Sequence, residues 1–179
     1  QTWSDSGWNQ HGFFVEDVTS SGTSYWGQHD SNHVSKQPVD VSKNPTFAIL
    51  DLGCTRAMGS RIAVEAFMKA APRFGIECEV LPTRATFSFA NSQKSVVNWK
   101  CRAWFPTSPA SHTDFDIVEE GTVPILMSLV QMQNLNFTLH LSPTGCYFTS
   151  PVLGSRRMPL HMSTTRHLVL DLSELASSW

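Results

Sequence analysis

Thr46-Phe47-Ala48-Ile49-Leu50-Asp51-Leu52-Gly53 is the stretch whose reading decides the fold. Phe47 to Leu50 is an unbroken apolar run, and Asp51-Leu52-Gly53 follows it directly. A short apolar run bounded by turn formers reads as a buried strand. Asp bonds to the backbone of a turn through its own side chain, and Gly accepts backbone angles that other residues resist. The pattern predicts a strand that delivers a carboxylate to a tight turn.

Downstream, Ser60 precedes Arg61 to Ala71, a run of good helix formers stopped by Pro72. A serine hydroxyl can cap the free N–H groups of a first turn, so a helix is expected there. Val64, Phe67 and Met68 fall near one face and Ile62, Ala66 and Lys69 on another, which predicts packing on two sides. Strands are expected at Ile76–Val80 and Thr86–Ala90, where polar and apolar residues alternate. Asn91-Ser92-Gln93-Lys94 is a polar turn, and Val96–Phe105 returns to make a hairpin. Asp114–Val118, Phe137–Leu141, Cys146–Thr149 and His167–Leu172 read as further strands. Pro124–Met127 is apolar and buried, and Ser128 caps a short helix over Leu129–Leu135. Short strands with two helices between them predict a mainly β fold, a small barrel or sandwich.

Residues 1–44 differ in composition. They are rich in Ser, Gly, Asn, Gln, His and Asp, and they carry Trp3, Trp8 and Trp26. Such a stretch has too few apolar residues for a core of its own. It reads as a polar N-terminal arm ahead of a domain at 45–179. Trp is the residue type that most often anchors a contact between chains, so Trp3, Trp8 and Trp26 are candidate partner-binding residues.

Net charge is −2 at pH 7, and Lys and Arg are scattered, so no nucleic acid partner is expected. No apolar run approaches the roughly 18 residues that a membrane helix needs. No signal peptide pattern is seen at the start, which favours an intracellular setting, cytoplasm or organelle. Cys54, Cys78, Cys101 and Cys146 form no Cys-x-x-Cys pair and read as buried free thiols, with disulfides the alternative in an oxidising compartment, since their number is even. His29 and His33 sit in poor helix context with no third ligand nearby, so neither a metal nor another cofactor is expected. Cys54 follows the Asp51 turn, and a nucleophilic role for it requires an electropositive neighbour such as Arg56. Asn136-Phe137-Thr138 fits the glycosylation pattern but falls in an expected strand.

Three segments, in this order, resemble a known family. They are Ala48-Ile-Leu-Asp-Leu-Gly-Cys-Thr55, Phe87-Ser-Phe-Ala-Asn-Ser92 and Val123-Pro-Ile-Leu-Met-Ser-Leu-Val-Gln-Met132. Together they resemble the retropepsins, the aspartic peptidases of retroviruses and long-terminal-repeat retrotransposons. The last two are most similar to the copia type. The tail Met162–Leu172 is similar to retroelement-derived proteins of dinoflagellate algae. The resemblance spans residues 46–172.

It implies a small acid-protease β-barrel with one or two short helices. It implies that Asp51, in the turn with Leu52 and Gly53, is the catalytic carboxylate. It also implies that Ala90, Asn91 and Ser92 lie at a flap over the substrate. Such peptidases use two carboxylates that share one proton, and the domain at 45–179 has one Asp-x-Gly turn. A working enzyme would therefore be a homodimer. The chain departs from the family at Leu52, where Thr or Ser is usual. It departs again at Ser92 and at Met127-Ser128, where Gly is usual. In the family, the hydroxyl after the Asp bonds across the dimer, and Leu52 has none. Two expectations therefore stand side by side. One is an aspartic endopeptidase of retroelement origin, active only as a dimer. The other is a catalytically silent accessory subunit of the same fold, bound to a larger protein assembly through its arm.

Overall fold

The computed structural model describes residues 37–88, 94–106 and 111–176. The decisive stretch forms strand β1, Phe47–Asp51. Its unbroken apolar run has a physical reason, because both faces of the strand are covered. Ala48 and Leu50 meet a large cluster on one side, and Phe47 and Ile49 meet a smaller one on the other.

Strand β2 (Met58–Ser60) leads into helix α1 (Arg61–Ala70), and the Ser60 hydroxyl accepts from the Ala63 N–H. A 3₁₀ turn, Ala71–Phe74, ends at Gly75, whose φ of 73° lies in the left-handed region. Then come β3 (Glu77–Ser88), β4 (Lys94–Phe105) and β5 (Ser111–Val118). Strand β6 (Ile125–Ser128) runs into helix α2 (Leu129–Asn134). Strands β7 (Thr138–His140), β8 (Cys146–Thr149), β9 (Met158–Met162) and β10 (Leu168–Asp171) follow, and helix α3 (Leu172–Ala176) closes the described chain.

The fold is mainly β, as the pattern predicts. The strands form one open ten-stranded sheet in the order β3-β4-β5-β2-β6-β1-β10-β9-β8-β7. Consecutive strands pair antiparallel along β3-β4-β5 and β7-β8-β9-β10. At the centre, β1 runs parallel to β6, and β2 runs parallel to β5. All three helices contribute to the larger cluster, through Val64, Phe67, Met132, Leu172 and Leu175. The smaller cluster joins Ala85, Phe87 and Val97 of β3 and β4 to Ile49 and Val169 of β1 and β10. The cluster passes through Val118, Met58 and Leu126 of the intervening strands β5, β2 and β6.

Several local expectations change. The strands expected at Ile76–Val80 and Thr86–Ala90 are parts of one strand, β3, with a register shift between Pro82 and Ala85. Pro82 is tolerated because β3 is an edge strand. Strands β2 and β9 had no clear signal, the first because it is so short and holds Gly59, the second because it holds Pro159. Helix α1 packs on one face only: Val64 and Phe67 are buried, whereas Ile62 is 67% exposed. Leu172 begins α3 instead of ending a strand. All four cysteines are free, but only Cys101 is fully buried. Residues 39–44 are tied to the domain. Val39 bridges to Ser163, and Val41–Lys43 forms a 3₁₀ turn capped by Asp40.

Candidate functional site around Asp51

Asp51 is the last residue of β1, and its partner across the parallel pair is Ser128. The carboxylate bends back on its own turn, and Oδ1 accepts from the Gly53 N–H at 2.9 Å. The Cys54 N–H donates to the Asp51 carbonyl at 3.3 Å, closing the turn a second time. A side chain at position 53 would put its Cβ 3.3 Å from Asp51 Oδ1, so glycine leaves the carboxylate room.

The turn is also anchored from β6 and α2. Ser128 ends β6 and caps α2, where its hydroxyl and the Gln131 side chain form a reciprocal capping box. The Leu129 N–H then donates to the Cys54 carbonyl at 3.0 Å. Gln131 Nε2 reaches across to the Thr113 hydroxyl at 2.5 Å, fixing the first turn of α2 against β5. Asp51 is thus positioned by its own turn, by β6 and by the start of α2.

Arg56 and Asp116 lie beneath. Arg56 Nε donates to Asp116 Oδ2 at 2.7 Å, with the carboxylate side chain only 4% exposed. The Cys54 thiol donates to the Arg56 carbonyl at 2.6 Å. Burial pushes this thiol up from its ordinary range, and the negative charges of Asp51 and Asp116 push the same way. The Arg56 guanidinium is held by Asp116, so Cys54 is kept as a neutral thiol and not as a nucleophile.

The surface at the turn is apolar. Leu52 is 58% exposed, and Leu129 and Val130 at the start of α2 are exposed as well. Hollows of about 310 and 220 Å³ lie against β8 and β9, and neither is lined by Asp51.

The structure brings Asp51, Leu52 and Gly53 together with Ser128. The flap candidates Ala90, Asn91 and Ser92 lie outside the described residues, as do the candidate anchors Trp3, Trp8 and Trp26 and the histidines His29 and His33. The arms of the hairpin expected to carry them are described, and β3 pairs with β4 from Glu77–Trp104 out to Ser88–Lys94. Sequence reasoning missed the Arg56–Asp116 pair, because alternation in Asp114–Val118 does not reveal which carboxylate is buried. It also passed over Asp5-Ser6-Gly7, a second Asp-x-Gly, which has no apolar run before it and lies outside the described residues. Asn136 sits in an exposed turn at φ 53°, before β7 and not inside a strand. His161 contacts Glu174 at 3.3 Å and stacks on Phe47, and His167 bonds the Thr165 hydroxyl at 2.8 Å. Both histidines are structural. Among the described residues no group of His, Cys, Asp and Glu could hold a metal, and no helix is long and apolar enough to cross a membrane.

No protein-family model matches the chain, and a comparison with curated proteins finds no match either.

Proposed function

We propose that the chain is a retropepsin-like aspartic endopeptidase domain of retroelement origin, active only when two copies pair. One observation carries this reading. Asp51 closes β1 beside Ser128 of β6, so two of the three segments that carry the resemblance, 48–55 and 123–132, lie side by side. Distant segments meeting at a carboxylate-bearing turn are what a shared catalytic site requires.

Other features support the reading. The β3–β4 hairpin comes between those segments in the chain, where the family has its flap. Two carboxylates close together cannot both ionise, so one takes up a proton and the pair holds an acid beside a base. The ionised member draws a proton from water, and the protonated one donates to the peptide carbonyl. The second carboxylate would come from Asp51 of a second copy across a two-fold axis. The exposed Leu52, Leu129 and Val130 offer that copy an apolar surface.

Leu52 also favours a second reading. It has no hydroxyl with which to brace a neighbouring turn, and a silent fold has no need of one. In that reading the chain is an accessory subunit of a larger assembly.

Mass in solution and peptide cleavage at about pH 5, where a shared-proton pair works, separate the two. The peptidase reading expects a dimer whose cleavage disappears in Asp51→Asn. A stable monomer without cleavage rejects it. A monomer that cleaves and is silenced by Asp5→Asn would move the second carboxylate to Asp5 and reject the two-copy site.

A further inference from the structure

We infer that Cys78 and Cys101 form a redox pair that closes a reversible disulfide between β3 and β4. In the register of these strands Cys78 faces Ala103 and Val80 faces Cys101. Residues facing each other, and residues two apart on one strand, share a face of the sheet. Cys78 and Cys101 are therefore diagonal neighbours on the same face. Both pack into the larger core cluster.

The two sites differ in access. Cys101 is fully buried, and Cys78 is half-buried on the edge strand. The thiols are close enough for each to shift the ionisation of the other. The Cys101 thiol holds the Cys78 thiol below its ordinary range, and Cys78 together with burial pushes the Cys101 thiol up. Cys78 is thus the reactive member and Cys101 the one in reserve. By contrast, Cys54 and Cys146 each donate to a backbone carbonyl.

Diagonal neighbours sit about 7–8 Å apart along the backbone. Relaxed disulfides span about 4.4–6.8 Å, so closure has to draw the strands together slightly. Strand β3 can yield, because it has one neighbour and an irregular register between Pro82 and Ala85. A bond closed under strain is easily reduced again, which suits a switch better than a permanent staple.

The oxidant class is a small disulfide such as oxidised glutathione. The Cys78 thiolate attacks one of its sulfurs, forming a mixed disulfide and expelling one glutathione thiolate. Cys101, losing its proton, then attacks the Cys78 sulfur and expels the second glutathione. Two cysteine thiols are oxidised, one glutathione disulfide is reduced, and both protons end on the released glutathione. The product clamps the base of the hairpin. This inference stands apart from the peptidase reading.

The test is to equilibrate the folded full chain in graded mixtures of reduced and oxidised glutathione, quench with acid and an alkylating agent, and map the peptides by mass. The expected result is a Cys78 peptide joined to the Cys101 peptide as the dominant disulfide, reverting when reduced glutathione is restored. Cys101→Ala should stop at a glutathione adduct on Cys78. The inference is overturned if the wild-type chain ends at that adduct with no joined peptide, or if joining occurs only in denaturant.

Discussion

At Asp51 the backbone and the side chain fix each other. The carboxylate accepts from Gly53, and the turn that results points it past the end of β1. Asp51→Asn keeps an acceptor for that bond and removes the charge, so it should leave the urea midpoint nearly unchanged and, under the proposed peptidase function, abolish cleavage. Beneath the turn, Arg56→Ala would leave the Asp116 carboxylate buried without its cation. Breaking a buried pair costs about 3 kcal/mol, and the half-exposed Arg56 puts this case at the lower end, a loss to be read from urea unfolding. A pH effect belongs to Asp114. Burial pushes its carboxyl up, but hydrogen bonds from Arg102 and Lys100, with their charges, outweigh burial and hold it down at about 2. A carboxyl depressed from 3.8 stabilises the fold above that value, and this contribution is lost as pH falls through about 2. Urea midpoints measured across that window should fall in the wild type and flatten in Asp114→Asn.

Among the elements, α1 shows how tertiary contact chooses between faces that the sequence leaves equal. Both Ile62 and Phe67 looked like packing residues. Only Phe67 is buried, and it meets Phe115 of β5 edge to face at 6.0 Å between ring centres. Phe67→Ala should cost about 3–5 kcal/mol, the usual range for emptying a buried aromatic site. Ile62→Ala should be nearly neutral, and equal losses in urea unfolding would contradict one-sided packing. Helix α2 was easier to read, because its start signal is local. Ser128 and Gln131 cap each other within one turn. Ser128→Ala should cost about 1 kcal/mol and loosen the loop bonded at Cys54.

Over the whole molecule, the centre of the sheet depends on parallel pairings between segments far apart in the chain. Gly59 of β2 lies where α1 crosses that centre. A Cβ there would come within 3.1 Å of Val64 Cγ2 and 3.2 Å of Ile125 Cγ1. Gly59→Ala should therefore destabilise the fold by about 1–3 kcal/mol through overpacking, seen as a lower urea midpoint.

The sequence by itself determined the mainly β class, α1 and its cap, the β3–β4 hairpin, α2 and its cap, and the strand that carries Asp51 to its turn. Each is written in neighbouring residues: an alternation, a capping serine, an apolar run ended by Asp and Gly. Tertiary structure alone decided the rest. It joined two expected strands through Pro82, because an edge strand does not need that lost N–H. It made strands of Met58–Ser60 and Met158–Met162, which are too short or too broken to pair without neighbours. It paired Asp51 with Ser128, buried Asp116 against Arg56 and set Cys78 diagonally to Cys101. Contacts of that kind depend on strand order and register, and no local pattern of residues encodes either.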